Sequence, residues 1–194
     1  GINMRIVLAG ALGEVGAAVW RALLAQGHEI VPVSSRAPLP EHPEVIDLTS
    51  LQYLLQKQRV DMVVQAGGPG DHRMVDRAFL EWSTRLLDVV QGIPSVLIST
   101  TRVLEGYEVV VPEDASPKPL TDYGRLNADH EALWLENHQA RVLRLVNFFC
   151  SPSSIEAPQV KLLPWSLLLE AWKRDFIGVR SRPTVSKEFV GAND

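Results

Sequence analysis

The sequence predicts an α/β protein built on a parallel, doubly wound sheet with helices on both faces. Three observations predict it. Strand and helix signals alternate along most of the chain, the order that a parallel sheet with crossover helices requires. The first strand ends on a turn carrying Gly10, Gly13 and Gly16, and a helical pattern follows at once. The chain has 194 residues, 46% of them hydrophobic, which is long and apolar enough to bury one full core.

The elements follow in order. Ile6-Val7-Leu8-Ala9 is a short, β-branched run of buried-strand type. After the glycines, Val15, Ala18, Val19, Ala22 and Leu23 recur at helical spacing. Gly27-His28 breaks that helix, and residues 29–33 read as a second strand. Residues 34–43, rich in Pro and Ser, are a loop. Residues 45–49 end in a cap signal before a short helix over 51–58. A third strand, 60–66, stops at Gly67-Gly68-Pro69-Gly70. A long helix is expected over 73–91, a fourth strand over 95–100, a polar loop over 105–120, a helix over 122–138 and a fifth strand over 140–149. The arrangement is Rossmann-like. It makes 4–150 a nucleotide-binding domain and 151–194 a short C-terminal substrate-side segment, with a leucine-rich helix over 165–172 and an extended edge over 176–190. The segment is too short for a core of its own. Gly1-Ile2-Asn3 precedes Met4, a natural start, and stays outside the fold argument.

Bulk properties remove several function classes. A net charge of −4 argues against non-specific nucleic-acid binding, which needs a basic surface. No stretch approaches the roughly 18 apolar residues of a membrane span. The apolar N-terminal run is too short and too interrupted for a signal peptide. The single cysteine, Cys150, allows no internal disulfide and fits a reducing, cytoplasmic setting. It follows Phe148-Phe149, which favours a buried thiol over a nucleophile. The histidines lack metal spacing, so no metal is expected: His130 and His138 lie eight apart with no third ligand, and Asp71-His72 reads as a surface loop pair.

The glycine turn is the first candidate site. Gly10, Gly13 and Gly16, with Leu12, Glu14 and Val15 between them, form G-x-x-G-x-x-G between a strand and a helix. Such a turn lets backbone N–H groups approach a phosphate, and the helix N-terminus adds its positive dipole end. Glu14 is awkward: its carboxylate favours the helix dipole but would repel a pyrophosphate if it pointed inward. At the end of the second strand, an acidic residue would bind the ribose hydroxyls of NAD. Ser34-Ser35-Arg36 stands there instead, and hydroxyls with a guanidinium suit a 2′-phosphate. NADP is therefore preferred over NAD, with a solvated surface cation as the plainer account of Arg36.

With these residues in view, the chain resembles the extended short-chain dehydrogenase/reductases, the NAD-dependent epimerase/dehydratase family. Within it the look is nearest to the dTDP-dehydrorhamnose reductases. The carriers are residues 4–16, Gly27-His28-Glu29, Asp47-Leu48-Thr49, residues 60–67, Leu97-Ile98-Ser99-Thr100, residues 112–117, Tyr123-Gly124-Arg125-Leu126-Asn127 and residues 142–147. The resemblance implies that Thr100, with Ser99 beside it, holds the substrate's carbonyl or hydroxyl and that Tyr123 is the acid/base. It implies cofactor contacts at Asp47, Leu48, Ala66, Gly67, Gly68, Tyr123 and Asn127. It also implies a homodimer paired through the helices at 73–91 and 122–138.

The family pattern has a lysine four residues after the tyrosine, on the same helix face. Here that residue is Asn127. A unit charge about 4 Å away is worth roughly 4 kcal/mol at an effective dielectric of about 20, or on the order of three pKa units. Asparagine supplies no such field. Arg102 and Lys118, from flanking loops, are the candidates to replace it. A second departure is Leu80, four before Thr84, where the family places an asparagine. The expectation is an NAD(P)-dependent oxidoreductase or epimerase acting on a nucleotide sugar or related small carbonyl compound, with a degenerate YxxxN motif. The alternative is an inactive NADP-binding sensor or regulatory subunit, and a partner surface that binds no nucleotide is a third possibility.

Overall fold

The computed structural model describes residues 3–69, 76–108, 111–137, 139–149 and 189–191. Two compact units divide the chain, Gly1–Arg144 and Leu145–Asp194.

The first unit opens with β1 (Arg5–Ala9), α1 (Glu14–Ala25), β2 (Glu29–Val33), α2 (Leu48–Lys57) and β3 (Met62–Gln65). It continues with α3 (Ala78–Val89), β4 (Ser95–Thr100), a 3-10 turn (Thr101–Leu104), α4 (Asp122–Leu135) and β5 (Ala140–Leu145). The strands form one sheet in the order β2-β1-β3-β4-β5. β1 is parallel to both neighbours, with Val7 opposite Val31 on one side and Val63 on the other. Beyond β2, Val33 makes a single parallel bridge to Ile46. With that bridge counted as an outermost strand, the order is the doubly wound one, reversing between β1 and β3.

Alternation along β1 builds the two faces. On one face, Val7 and Ala9 pack with Leu51 of α2, Leu86 of α3 and Trp134 of α4. Ile6 and Leu8 face the other way, against Val19, Trp20 and Leu23 of α1. A strand buried on both faces must be continuously apolar, as Ile6-Val7-Leu8-Ala9 is.

The helix ends follow local rules. Gly27, at φ +84°, reverses the chain after α1, and the His28 N–H reaches back to the Leu23 carbonyl. Asp47 caps α2 by accepting the Ser50 N–H at 2.8 Å, so that helix starts at Leu48, ahead of the expected 51. α3 begins at Ala78, and residues 70–75, which include Asp71-His72 and the expected helix start, lie outside the described residues. The run expected as one strand over 140–149 is two strands. β5 stays with the five-stranded sheet, while β6 (Asn147–Phe149) pairs in parallel with β7 (Phe189–Gly191) in the second unit. Cys150 and the helix expected over 165–172 lie outside the described residues. No described helix is long and apolar enough to cross a membrane.

Candidate functional site

The glycine turn is held by its own backbone. Gly10 sits at φ +73° and donates its N–H to the Val33 carbonyl at 3.0 Å. A Cβ on Gly10 would lie 2.2 Å from the Gly67 nitrogen, and one on Gly16 would lie 1.9 Å from the Gly10 carbonyl oxygen. Neither position accepts a side chain. Gly13 differs: it is exposed, caps α1, and a Cβ there would approach nothing closer than 3.4 Å. Contact between Gly10 and Gly67 closes the ends of β1 and β3, where the strand order reverses and such sheets take ligands.

Around this point lie the other predicted cofactor residues. Leu12 and Val15 are half-buried. Glu14 is the first residue of α1, and burial raises its carboxyl to about 7, against the pull of the helix's positive end. Ser34 is buried, and its Oγ accepts the Arg36 N–H at 3.1 Å. Ser35 and Arg36 are exposed. The Val33–Ile46 bridge brings Asp47 and Leu48 alongside this turn. The Asp47 carboxyl is held below its ordinary range by the Ser50 hydrogen bonds. Ala66 donates its N–H to the Ala9 carbonyl at 2.9 Å, and Gly68 is exposed.

The second group of predicted residues divides. Thr100 ends β4, and its Oγ1 accepts the Arg102 N–H at 3.2 Å. Ser99 points to the opposite side of the strand, where its Oγ donates to buried Glu131 at 2.7 Å. Glu131 is in turn paired with Arg144 at 2.7 Å, and Arg144 holds the Ala115 carbonyl. Ser99 therefore joins a link between β4, α4 and β5, on the side of the strand away from Thr100.

Tyr123 is the second residue of α4, which Thr121 caps by accepting the Gly124 N–H at 3.1 Å. Burial raises the Tyr123 phenol above its ordinary value, while the Asn127 amide and the Arg102 charge pull it back. Asn127 is buried and donates its Nδ2 to the Tyr123 backbone carbonyl at 2.9 Å. Of the two cations expected to replace the lysine, Lys118 lies over the Tyr107 ring, 5.3 Å from its centre. Arg102 is the one beside the tyrosine helix: a Cβ on Gly124 would be 2.7 Å from the Arg102 carbonyl oxygen.

A buried polar chain went unpredicted. The Gln65 Oε1 accepts the Gly67 N–H at 2.8 Å, and its Nε2 donates to Ser83 Oγ at 3.2 Å. Trp134 Nε1 also donates to Ser83 Oγ, at 2.8 Å. Two donations fill the serine's lone pairs, so its own O–H must go to His130 Nε2, 2.7 Å away. His130 is then a neutral acceptor at Nε2, consistent with burial lowering its pKa to about 4. This chain ties Gly67, at the junction of β1 and β3, to α3 and α4. Its sequence signal is His130 and Trp134, four apart on one helix face.

Fold and loop together define a Rossmann-like α/β domain with a tyrosine-bearing helix at its side. The NAD dependent epimerase/dehydratase family matches residues 6–153, and the chain belongs to that family. No curated protein matches the sequence. Among solved structures, the NAD-dependent NDP-hexosamine 5,6-dehydratase TunA of tunicamycin biosynthesis aligns over 98% of this chain and 69% of its own, at 18% identity and a TM-score of 0.76. UDP-glucose-4-epimerase from Stenotrophomonas maltophila, with bound NAD and formylated UDP-arabinopyranose, aligns over 98% and 70%, at 20% identity and a TM-score of 0.78. The Bordetella bronchiseptica enzyme WbmG, in complex with NAD and UDP, aligns over 81% and 58%, at 23% identity and a TM-score of 0.63. The likeness at these identities is one of fold, and the chain spans only part of each relative's length.

Proposed function

We propose that this chain is an NAD(P)-dependent oxidoreductase or epimerase of the extended short-chain dehydrogenase/reductase type, acting on a nucleotide sugar or related small carbonyl compound. The observation that carries the reading is the convergence at Arg102. Its N–H binds Thr100 and its carbonyl abuts the first turn of the Tyr123 helix. Thr100 uses a lone pair for this contact, which leaves its O–H to donate to a substrate oxygen. Tyr123 holds or delivers the proton at its phenolic oxygen.

The loop fits a dinucleotide, because Gly10 and Gly16 keep side chains out of the junction and Gly13 leaves the start of α1 open. Such a cofactor supplies the hydride chemistry. Exposed Arg36, with no acidic residue at the end of β2, supports NADP over NAD, although two of the similar structures named above hold NAD. The sequence resemblance to the dTDP-dehydrorhamnose reductases supports a sugar carbonyl as substrate. By the same resemblance the chain is a homodimer paired through α3 and α4.

Oxidation of NADPH and NADH in the presence of UDP- and dTDP-keto sugars tests the reading. Tyr123→Phe is expected to lower turnover by about 100-fold or more. Equal turnover in wild type and mutant would remove Tyr123 as the acid. The alternative, a sensor that binds NADP without turnover, has its own observation: Asn127 is bound to its helix and the Tyr123 phenol lies above its ordinary value. Binding of NADPH with no turnover on the same panel supports that alternative.

A further inference from the structure

We infer that Arg102, clamped by Glu105, is the cation that serves Tyr123 in place of a lysine at position 127. The inference rests on the reading of Tyr123 as the acid/base. Its geometry centres on one carboxylate. Glu105 Oε1 pairs with Arg102 Nη1 at 2.7 Å, and Glu105 Oε2 accepts the Thr121 hydroxyl at 3.1 Å. Thr121 is the cap of α4, two residues before Tyr123. Glu105 therefore fastens the guanidinium to the start of the tyrosine's helix. The backbone of Arg102 is fixed there as well, through Thr100 on one side and Gly124 on the other.

The other described cations around α4 are engaged elsewhere. Arg125 pairs with Asp122 on the exposed face of the helix and also binds the Leu120 carbonyl. Arg77 pairs with Asp129, and Arg144 with buried Glu131. Lys118 lies over Tyr107. His130, also on α4, is buried and neutral. Among the described residues, Arg102 is the cation whose charge reaches the Tyr123 phenol, and that charge favours the phenolate. Its guanidinium cannot deprotonate in the working range, so the field persists at any pH the protein tolerates. Glu105 moderates that field while it fixes the position. The task of one lysine is thereby divided: Arg102 supplies charge, and the Asn127 amide supplies a hydrogen bond. Arg102 acts through Tyr123 and is a positioning residue.

The test is the ionisation midpoint of Tyr123, read by NMR of the whole chain carrying 13C-labelled tyrosine, without substrate or cofactor. The signal is assigned by its loss in Tyr123→Phe. Arg102→Gln is expected to raise the midpoint by about half a pH unit or more, and Arg102→Lys to keep it within about 0.2 units of wild type. If Arg102→Gln does not fold, Arg102→Met, which keeps the apolar stem, takes its place. An unmoved midpoint in a folded charge-removing variant overturns the inference. The readout needs no turnover, so it separates two failures. A shifted midpoint without hydride transfer sinks the enzymatic reading alone, and hydride transfer with an unmoved midpoint sinks the Arg102 inference alone.

Discussion

Glu14 is the residue at which fold and ligand make opposing demands. Its carboxyl is raised from 4.5 to about 7 by burial, so the folded chain favours the protonated form. A raised folded value means a stability contribution fully present below about 4.5 and lost as pH rises through about 7. Melting temperatures of wild type and Glu14→Gln are therefore expected to agree at the acid end and to separate above neutrality, with the mutant higher. Parallel melting curves across that range would contradict this account of Glu14. The same substitution removes a carboxylate from the mouth of the loop and should tighten NADPH binding at a pH of about 8. At this scale the sequence was partly legible. Glu14 stood out as a misfit from its place in the glycine turn, and Asn127 from the family resemblance, which implies a lysine there. The direction of Ser99 was available in principle, because period-two alternation sets it with Leu97 and opposite Thr100. Its partner Glu131 was not, because nothing local in the chain announces a contact between β4 and α4.

Among the elements, the glycine turn makes a prediction that the motif alone does not. The three glycines look equivalent in G-x-x-G-x-x-G, but their surroundings differ. Gly16→Ala would place a methyl 1.9 Å from a backbone oxygen, and Gly10→Ala one 2.2 Å from a backbone nitrogen at positive φ. Each is expected to cost on the order of 3 kcal/mol or more. Gly13→Ala meets only a 3.4 Å contact and should stay within about 1 kcal/mol of wild type. Chemical denaturation of the three variants checks the ranking, and equal losses would show that the turn is not packed this way. The buried chain from Gly67 to Trp134 is testable in the same experiment. Ser83→Ala leaves Gln65 Nε2, Trp134 Nε1 and His130 Nε2 without their common partner, and should cost about 3 kcal/mol. A neutral outcome would mean that the three groups find other partners. Helix periodicity places His130 and Trp134 on one face, but their convergence with Gln65 and Ser83 depends on how three elements pack.

At the level of the whole molecule, the order of strands and helices was legible because parallel strands buried on both faces must be apolar throughout. Glycine breaks then mark nearly every end, as at Gly10, Gly27, Gly67 and Gly92. The outermost strand was less so, since Ile46 makes only one bridge and its run reads as part of a helix cap. The split of residues 140–149 into β5 and β6 was hidden for a related reason: one apolar run served two different sheets. All of the named site residues lie in the first unit, Gly1–Arg144. Dinucleotide binding there is the claim on which the functional account depends. Calorimetric titration of the whole chain with NADPH and with NADH tests it most directly. The account predicts saturable binding of one cofactor per chain, tighter for NADPH and weakened for NADPH by Arg36→Ala. No heat of binding from either cofactor, with the protein folded, would contradict it.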